Sequence, residues 1–282
     1  MSKAGRRPRP RPGRVTTAAG ADMLHAEWTK LRTLASTCWL LAAAVAVTIA
    51  VSAAAVVTAA CPPGTCAAGQ SAADPAKLSL TGVEAGQAFV AIIAVLAICG
   101  EYGTGMIRVT LTAMPRRLCV LAAKAALVGA VVLAAGTAAV LASVLVGRLA
   151  LPGRGFTPAN GYPLLSLAAG PDLRAAAGSV LYLTLVALLA LGIATAVRDS
   201  AVAIGIVLAL LYLFPVVTAV VASHSWQRHL EQASPLTAGL YIQVTVGVHA
   251  LPLAPWQGLG VTALWAAGAL LLGGALLRLR DA

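Results

Sequence analysis

The chain has 282 residues, 60% of them hydrophobic and 10% charged, with a formal net charge of +11 and a mean hydropathy of +0.89. A soluble domain carries roughly 25% charged residues, so a water-soluble domain of this size has no way to bury so much apolar surface. The composition points to an all-α polytopic membrane protein, and the basic excess does not mark a nucleic-acid binder, because it sits in an N-terminal tail and beside apolar runs.

Residues 1–21 interleave Arg6, Arg7, Arg9, Arg11 and Arg14 with Pro8, Pro10 and Pro12. Proline at this density blocks a helix and like charges repel, so a disordered basic tail is expected. It either touches anionic lipid, at about 1 kcal/mol per basic residue near the surface, or only anchors topology. Asp22 is a helix N-cap candidate, followed by Leu24, Trp28, Leu31 and Ala35 at helical spacing. Glu27, Lys30 and Arg32 fall elsewhere on the wheel, so residues 22–38 read as an interfacial helix with Trp28 at headgroup depth.

Six apolar runs follow, at about 39–60, 82–100, 120–147, 176–197, 201–222 and 256–277. Each is long enough to cross a bilayer. The first exceeds the 7–15 residues of a signal-peptide core. Glu84 and Gln87 lie one turn apart near one end of the second run. Glu84 either lines a shared cavity or snorkels to the surface. Lys124, early in the third run, is expected to snorkel as well. Residues 163–167 are apolar but too short to span. The charged pair Arg198–Asp199 splits the fourth run from the fifth as a tight turn. Between the fifth and sixth runs, residues 226–230 read as a short surface helix.

The segment between the second and third runs reads GEYGTGMIRVTLTAMPRR, residues 100–117. Ile107, Leu111 and Met114 recur at the spacing of one helical face, with Thr104, Arg108, Thr110 and Thr112 on the other. Pro115 stops the pattern, and Arg116 and Arg117 follow. Residue chemistry leaves two readings: an amphipathic helix offered to a cytoplasmic partner, or an ordinary basic loop retained by the positive-inside effect.

This segment resembles the loop after the second membrane helix of permease subunits in type-2 ATP-binding-cassette exporters. The matching positions are Glu101, Tyr102, Gly105, Ile107, Arg108, Thr110, Leu111, Ala113, Pro115, Arg116 and Arg117. The words around Trp28 resemble the elbow helix that opens such permeases. Residues 178–192 and 234–239 also resemble family segments, and in the family the latter region folds back as short extracellular helices. The resemblance implies that Glu101, Tyr102, Gly105, Ile107, Arg108, Leu111, Met114, Arg116 and Arg117 couple to a separate ATPase subunit. It also implies that Glu27, Trp28, Lys30 and Arg32 belong to the elbow. On that basis the expected partners are an ATPase, a second permease in a homodimer or heterodimer, and the lipid membrane. ATP hydrolysis is expected in the partner, with no cofactor on this chain.

Orientation follows from the basic residues. With the N-terminus inside, 15 of the 20 Lys and Arg fall inside; Lys77, Arg148, Arg154, Arg174 and Arg228 fall outside. Six spans with both termini cytoplasmic are therefore expected. The usage of Ala, Gly and Arg fits a GC-rich bacterial genome and hence a bacterial plasma membrane. Cys38, Cys99 and Cys119 then face the reducing side, and Cys61 and Cys66 the oxidising side. The intervening Pro62-Pro63-Gly64-Thr65 favours a reversing turn, so a Cys61–Cys66 disulfide is expected, with two free thiols as the alternative.

Chemical motifs are absent from the sequence: no G-x-x-x-x-G-K-[ST] phosphate loop and no H-E-x-x-H. His224 and His229 are either polar loop residues or two ligands of a metal. A secondary transporter usually carries ionisable groups at mid-membrane, and the apolar runs hold almost none. A non-transporting scaffold or immunity protein stays open beside the permease reading, and a membrane-embedded enzyme would need a polar cluster inside the bilayer.

Overall fold

The computed structural model describes residues 35–59, 74–103, 117–162, 164–168, 170–221 and 223–279. The described residues form helices α1 (Ala35–Thr58), α2 (Pro75–Leu80), α3 (Gly82–Gly103), α4 (Arg117–Ala150), α5 (Gly170–Val197), α6 (Ser200–Val220), α7 (His224–Ala233), α8 (Pro235–Leu240) and α9 (Pro255–Leu279). Short 3-10 turns lie in the connections, and no strand occurs among the described residues. Six segments are long and apolar enough to cross a membrane: Cys38–Thr58, Pro75–Gly100, Leu118–Ala150, Gly170–Val197, Ser200–Val220 and Pro255–Leu279. The protein is thus a helical bundle of the multi-pass membrane class.

Local chemistry sets the helix ends. Asp74 caps α2, accepting from the N–H groups of Ala76 and Lys77, and Pro75 occupies the first helical position where no N–H is needed. Only Thr81 separates α2 from α3, so the second span is longer than its apolar run suggests. Arg198 closes α5 with φ of 67°, a left-handed conformation uncommon outside glycine. Asp199 then caps α6 through its Oδ1, which accepts from Val202 N at 2.8 Å. Ser234 caps α8 in the same way, accepting from Thr237 N at 3.1 Å.

The helices α3 and α5 are the most enclosed; α6 and α1 are the most exposed. α5 packs on α9, α3, α4 and α6, while α1 packs on α3 and α4. Close approach depends on small residues, as expected where lipid removes the hydrophobic drive between helices. A Cβ on Gly192 of α5 would stand 2.5 Å from the Ala269 carbonyl carbon of α9, and one on Gly273 would stand 2.6 Å from Gly192 O. Ser52 Oγ of α1 accepts from Gly82 N at 3.0 Å, a hydrogen bond between spans.

One end of the bundle carries Tyr102 and Arg198, the other Asp74. At the Arg198 end, Lys124 is 3% exposed and donates to Ala97 O at 3.2 Å. It therefore does not snorkel; the carbonyl at the end of α3 receives its ammonium inside the bundle. Near the Asp74 end the expected surface helix is longer than residues 226–230, running through all of α7, and α8 then folds back against α9. Thr262 Oγ1 donates to Pro235 O at 2.9 Å, and Trp265 Nε1 donates to Ala233 O at 2.9 Å. Leu164 is exposed and Leu165 buried, so residues 164–167 cover the bundle without forming a helix; residue 163 lies outside the described residues.

Candidate functional site

The expected coupling residues straddle the limit of the described chain. Glu101 and Tyr102 end α3 and Arg117 begins α4. Gly105, Ile107, Arg108, Leu111, Met114 and Arg116 lie outside the described residues, as do Glu27, Trp28, Lys30, Arg32, Cys61 and Cys66. Cys38, Cys99 and Cys119 are free thiols. What the structure does place is the end of α3 and the start of α4, on either side of residues 104–116. The Arg198 guanidinium lies over the Tyr102 ring, 5.3 Å from its centroid, within cation–π range. The Nε and Nη2 atoms of Arg198 are buried without a hydrogen-bond partner. Asp199, the nearest carboxylate in sequence, is engaged as the α6 cap. The α5–α6 turn is thereby held against the end of α3, next to where residue 104 begins. Cys99 Sγ approaches Ala194 O at 3.9 Å, which draws α3 and α5 together at the same level.

A second polar group gathers inside the spans, and the one-dimensional pattern does not reveal it. Gln87 of α3 is fully buried, and its Oε1 accepts the hydroxyl of Tyr182, also fully buried, on α5. Gln87 Nε2 has no partner. Tyr212 of α6 donates to the backbone oxygen of Glu84 at 2.7 Å. Glu84 itself is exposed. In sequence Gln87, Tyr182 and Tyr212 are isolated polar residues in apolar runs; only packing brings three helices' polar groups to one level. Closer to the Asp74 end, Gln243 Nε2 donates to Ser179 Oγ at 3.0 Å.

At that end the Asp74 carboxylate is a knot. Besides capping α2, it accepts from Thr245 Oγ1 at 2.8 Å, from Val246 N at 3.0 Å and from Thr245 N. Tyr241 donates to Glu231 Oε2 at 3.2 Å, and burial, then the Glu231 charge, push its phenol above the ordinary range. A groove of about 690 Å³ opens between α5, α6 and α9, walled by apolar side chains such as Ile206, Leu210, Val261 and Leu272, with Gln232 at its edge. Its lining suits an acyl chain and offers no reactive group. Among the described residues no group of three His, Cys, Asp or Glu could hold a metal.

These features define a multi-pass helical membrane protein with a polar seam between α3, α5 and α6 and a braced basic turn at one end. No family model matches the chain, and no curated protein is significantly similar to it.

Proposed function

We propose that the chain is the membrane-spanning subunit of an ATP-driven exporter, working with a separate ATPase and a second permease, itself or a relative. The observation that carries this reading is the residue pattern of positions 101–117, which falls between the second and third membrane-length helices. In this reading both termini are cytoplasmic and the membrane is a bacterial plasma membrane. ATP binding closes the ATPases, and the segment 101–117 passes that movement to α3 and α4. The Arg198–Tyr102 stack supports it, because it ties the α5–α6 turn to the root of the same segment, so that one push reaches three spans. The subunit performs no covalent chemistry. It supplies two arrangements with different access, and its partner biases their populations.

The test is purification of the tagged chain from its native membrane, with mass spectrometry for an ATPase that carries the phosphate-loop motif. Ile107→Asp puts a charge on the apolar face of the segment and is expected to abolish that association and efflux while membrane insertion persists; Glu101→Ala and Arg108→Ala are expected to abolish efflux. If the wild-type chain brings no such ATPase, or all three variants keep both association and efflux, the exporter reading fails.

A further inference from the structure

Glu84 is a carboxylate that the packing leaves uncovered at a depth water does not reach. It is exposed on the outside of α3, and Ala88, Ile92 and Leu96 continue the same face at four-residue steps. Depth is fixed by its neighbour. The Tyr212 hydroxyl bonds the Glu84 backbone oxygen at 2.7 Å, so both residues share one level. α6 has 21 residues, a length of roughly 31 Å, close to the thickness of a bilayer's hydrocarbon core. Tyr212 stands eight residues, about 12 Å, before the Val220 end of that helix. Its side chain leans toward the α6 N-terminus, which carries the hydroxyl deeper still. A glutamate side chain reaches roughly 5 Å, so snorkelling does not bring this carboxylate to the surface.

A charge at that depth is costly unless it is paired, and intramembrane ionisable residues mark ligand or ion paths. Among the described residues Glu84 forms no ion pair. Gln87 turns into the bundle, so the exposed Glu84 carboxylate is the charged group that α3 offers on this face. A bare hard cation does not fit, because it needs six to eight oxygens and no group of three His, Cys, Asp or Glu stands together among the described residues. The surroundings are apolar: Leu96 on α3, and Leu213 and Val216 exposed on α6.

We propose that Glu84 is the charge-recognising group of a ligand site on the α3–α6 face, and that the ligand is a cationic amphiphile. Its ammonium, guanidinium or phosphonium group rests on the Glu84 carboxylate, and its apolar body lies along Ala88, Ile92 and Leu96 of α3. The assignment of this ligand as the exported cargo rests on the exporter reading; the binding site does not. The test uses the purified full chain in phosphatidylcholine nanodiscs, with tetraphenylphosphonium as probe and the isosteric anion tetraphenylborate as control. The expected result is saturable phosphonium binding, weakened at least about tenfold by Glu84→Gln and largely kept by Glu84→Asp, with no saturable borate binding. Absence of saturable phosphonium binding, equal binding by Glu84→Gln, or equal binding of the borate overturns the proposal. A second measurement needs no variant: a hydrophobic carbodiimide should label Glu84 in the wild-type chain, and phosphonium should slow that labelling. Labelling that phosphonium leaves unchanged also overturns it. No ATPase enters either assay, so a missing ATPase partner sinks the exporter reading and leaves this site standing.

Discussion

Asp74 shows how one side chain joins distant parts of the chain. Its two oxygens serve five donors, on α2 and on residues 245 and 246, and the residue is 8% exposed. Asp74→Ala removes a helix cap and strands buried N–H groups, which should cost about 2–4 kcal/mol and lower the melting temperature in detergent. Asp74→Asn, which keeps an acceptor oxygen, should lose less. Arg198 separates backbone from side chain: at φ of 67° a β-branched residue is strained and glycine is relaxed. Arg198→Gly should melt within a few degrees of wild type, because relief of strain offsets a lost cation–π contact of about 1 kcal/mol. Arg198→Val should melt clearly lower, and a reversed order would mean that the side-chain contact dominates. Tyr241 gives a pH signature. Its phenol is raised in the folded protein by burial and by Glu231, so the stability it contributes is complete below about pH 10 and is lost as pH climbs further. Tyr241→Phe should flatten that alkaline decline, measured as melting temperature against pH.

At the scale of elements, the α5–α9 pair is held at close range by Gly192 and Gly273. A valine at Gly192 would meet the Ala269 backbone, which has no rotamer to yield. Gly192→Val should therefore push the two helices apart and destabilise by about 1–3 kcal/mol or more. The readout is loss of monodisperse protein in detergent, with Gly260→Ala, whose added Cβ meets nothing within 4 Å, as a control that leaves the profile unchanged. The contact explains Gly273, while the neighbouring Gly274 makes room for the Leu118 and Leu121 side chains of α4.

For the whole molecule, the arrangement of six spans makes topology testable. The 15-to-5 division of Lys and Arg predicts both termini on the cytoplasmic side. A reporter active only outside the cell should be active when fused at Gly69, Gly155 or Gly247 and silent at the C-terminus. Activity at the C-terminus would invert or reject this topology. Gly155 and Gly247 suit insertion because both already adopt positive φ in turns. The same orientation places Cys61 and Cys66 in the oxidising compartment. Alkylation before reduction should then leave both unmodified in peptide mass spectra, and alkylation of both would exclude the bond.

The sequence by itself determined the class, the number of spans and nearly all their limits. Apolar runs of about 20 residues have one low-energy solution in lipid, a helix that satisfies its own backbone, and that solution is local. The spacing of Ile107, Leu111 and Met114 needs no tertiary partner to be read either, but those residues lie outside the described ones. What only the tertiary structure decided is every contact between polar groups of different spans. Lys124 looks like a snorkelling residue until the Ala97 carbonyl is placed beside it, and Gln87 looks like a rim residue until Tyr182 closes over it. Glu84 sits three residues from Gln87 on the same helix, yet one faces the bundle and the other the membrane. That difference comes from where α5 and α6 pack on α3, a choice among helix faces that no single run of residues encodes.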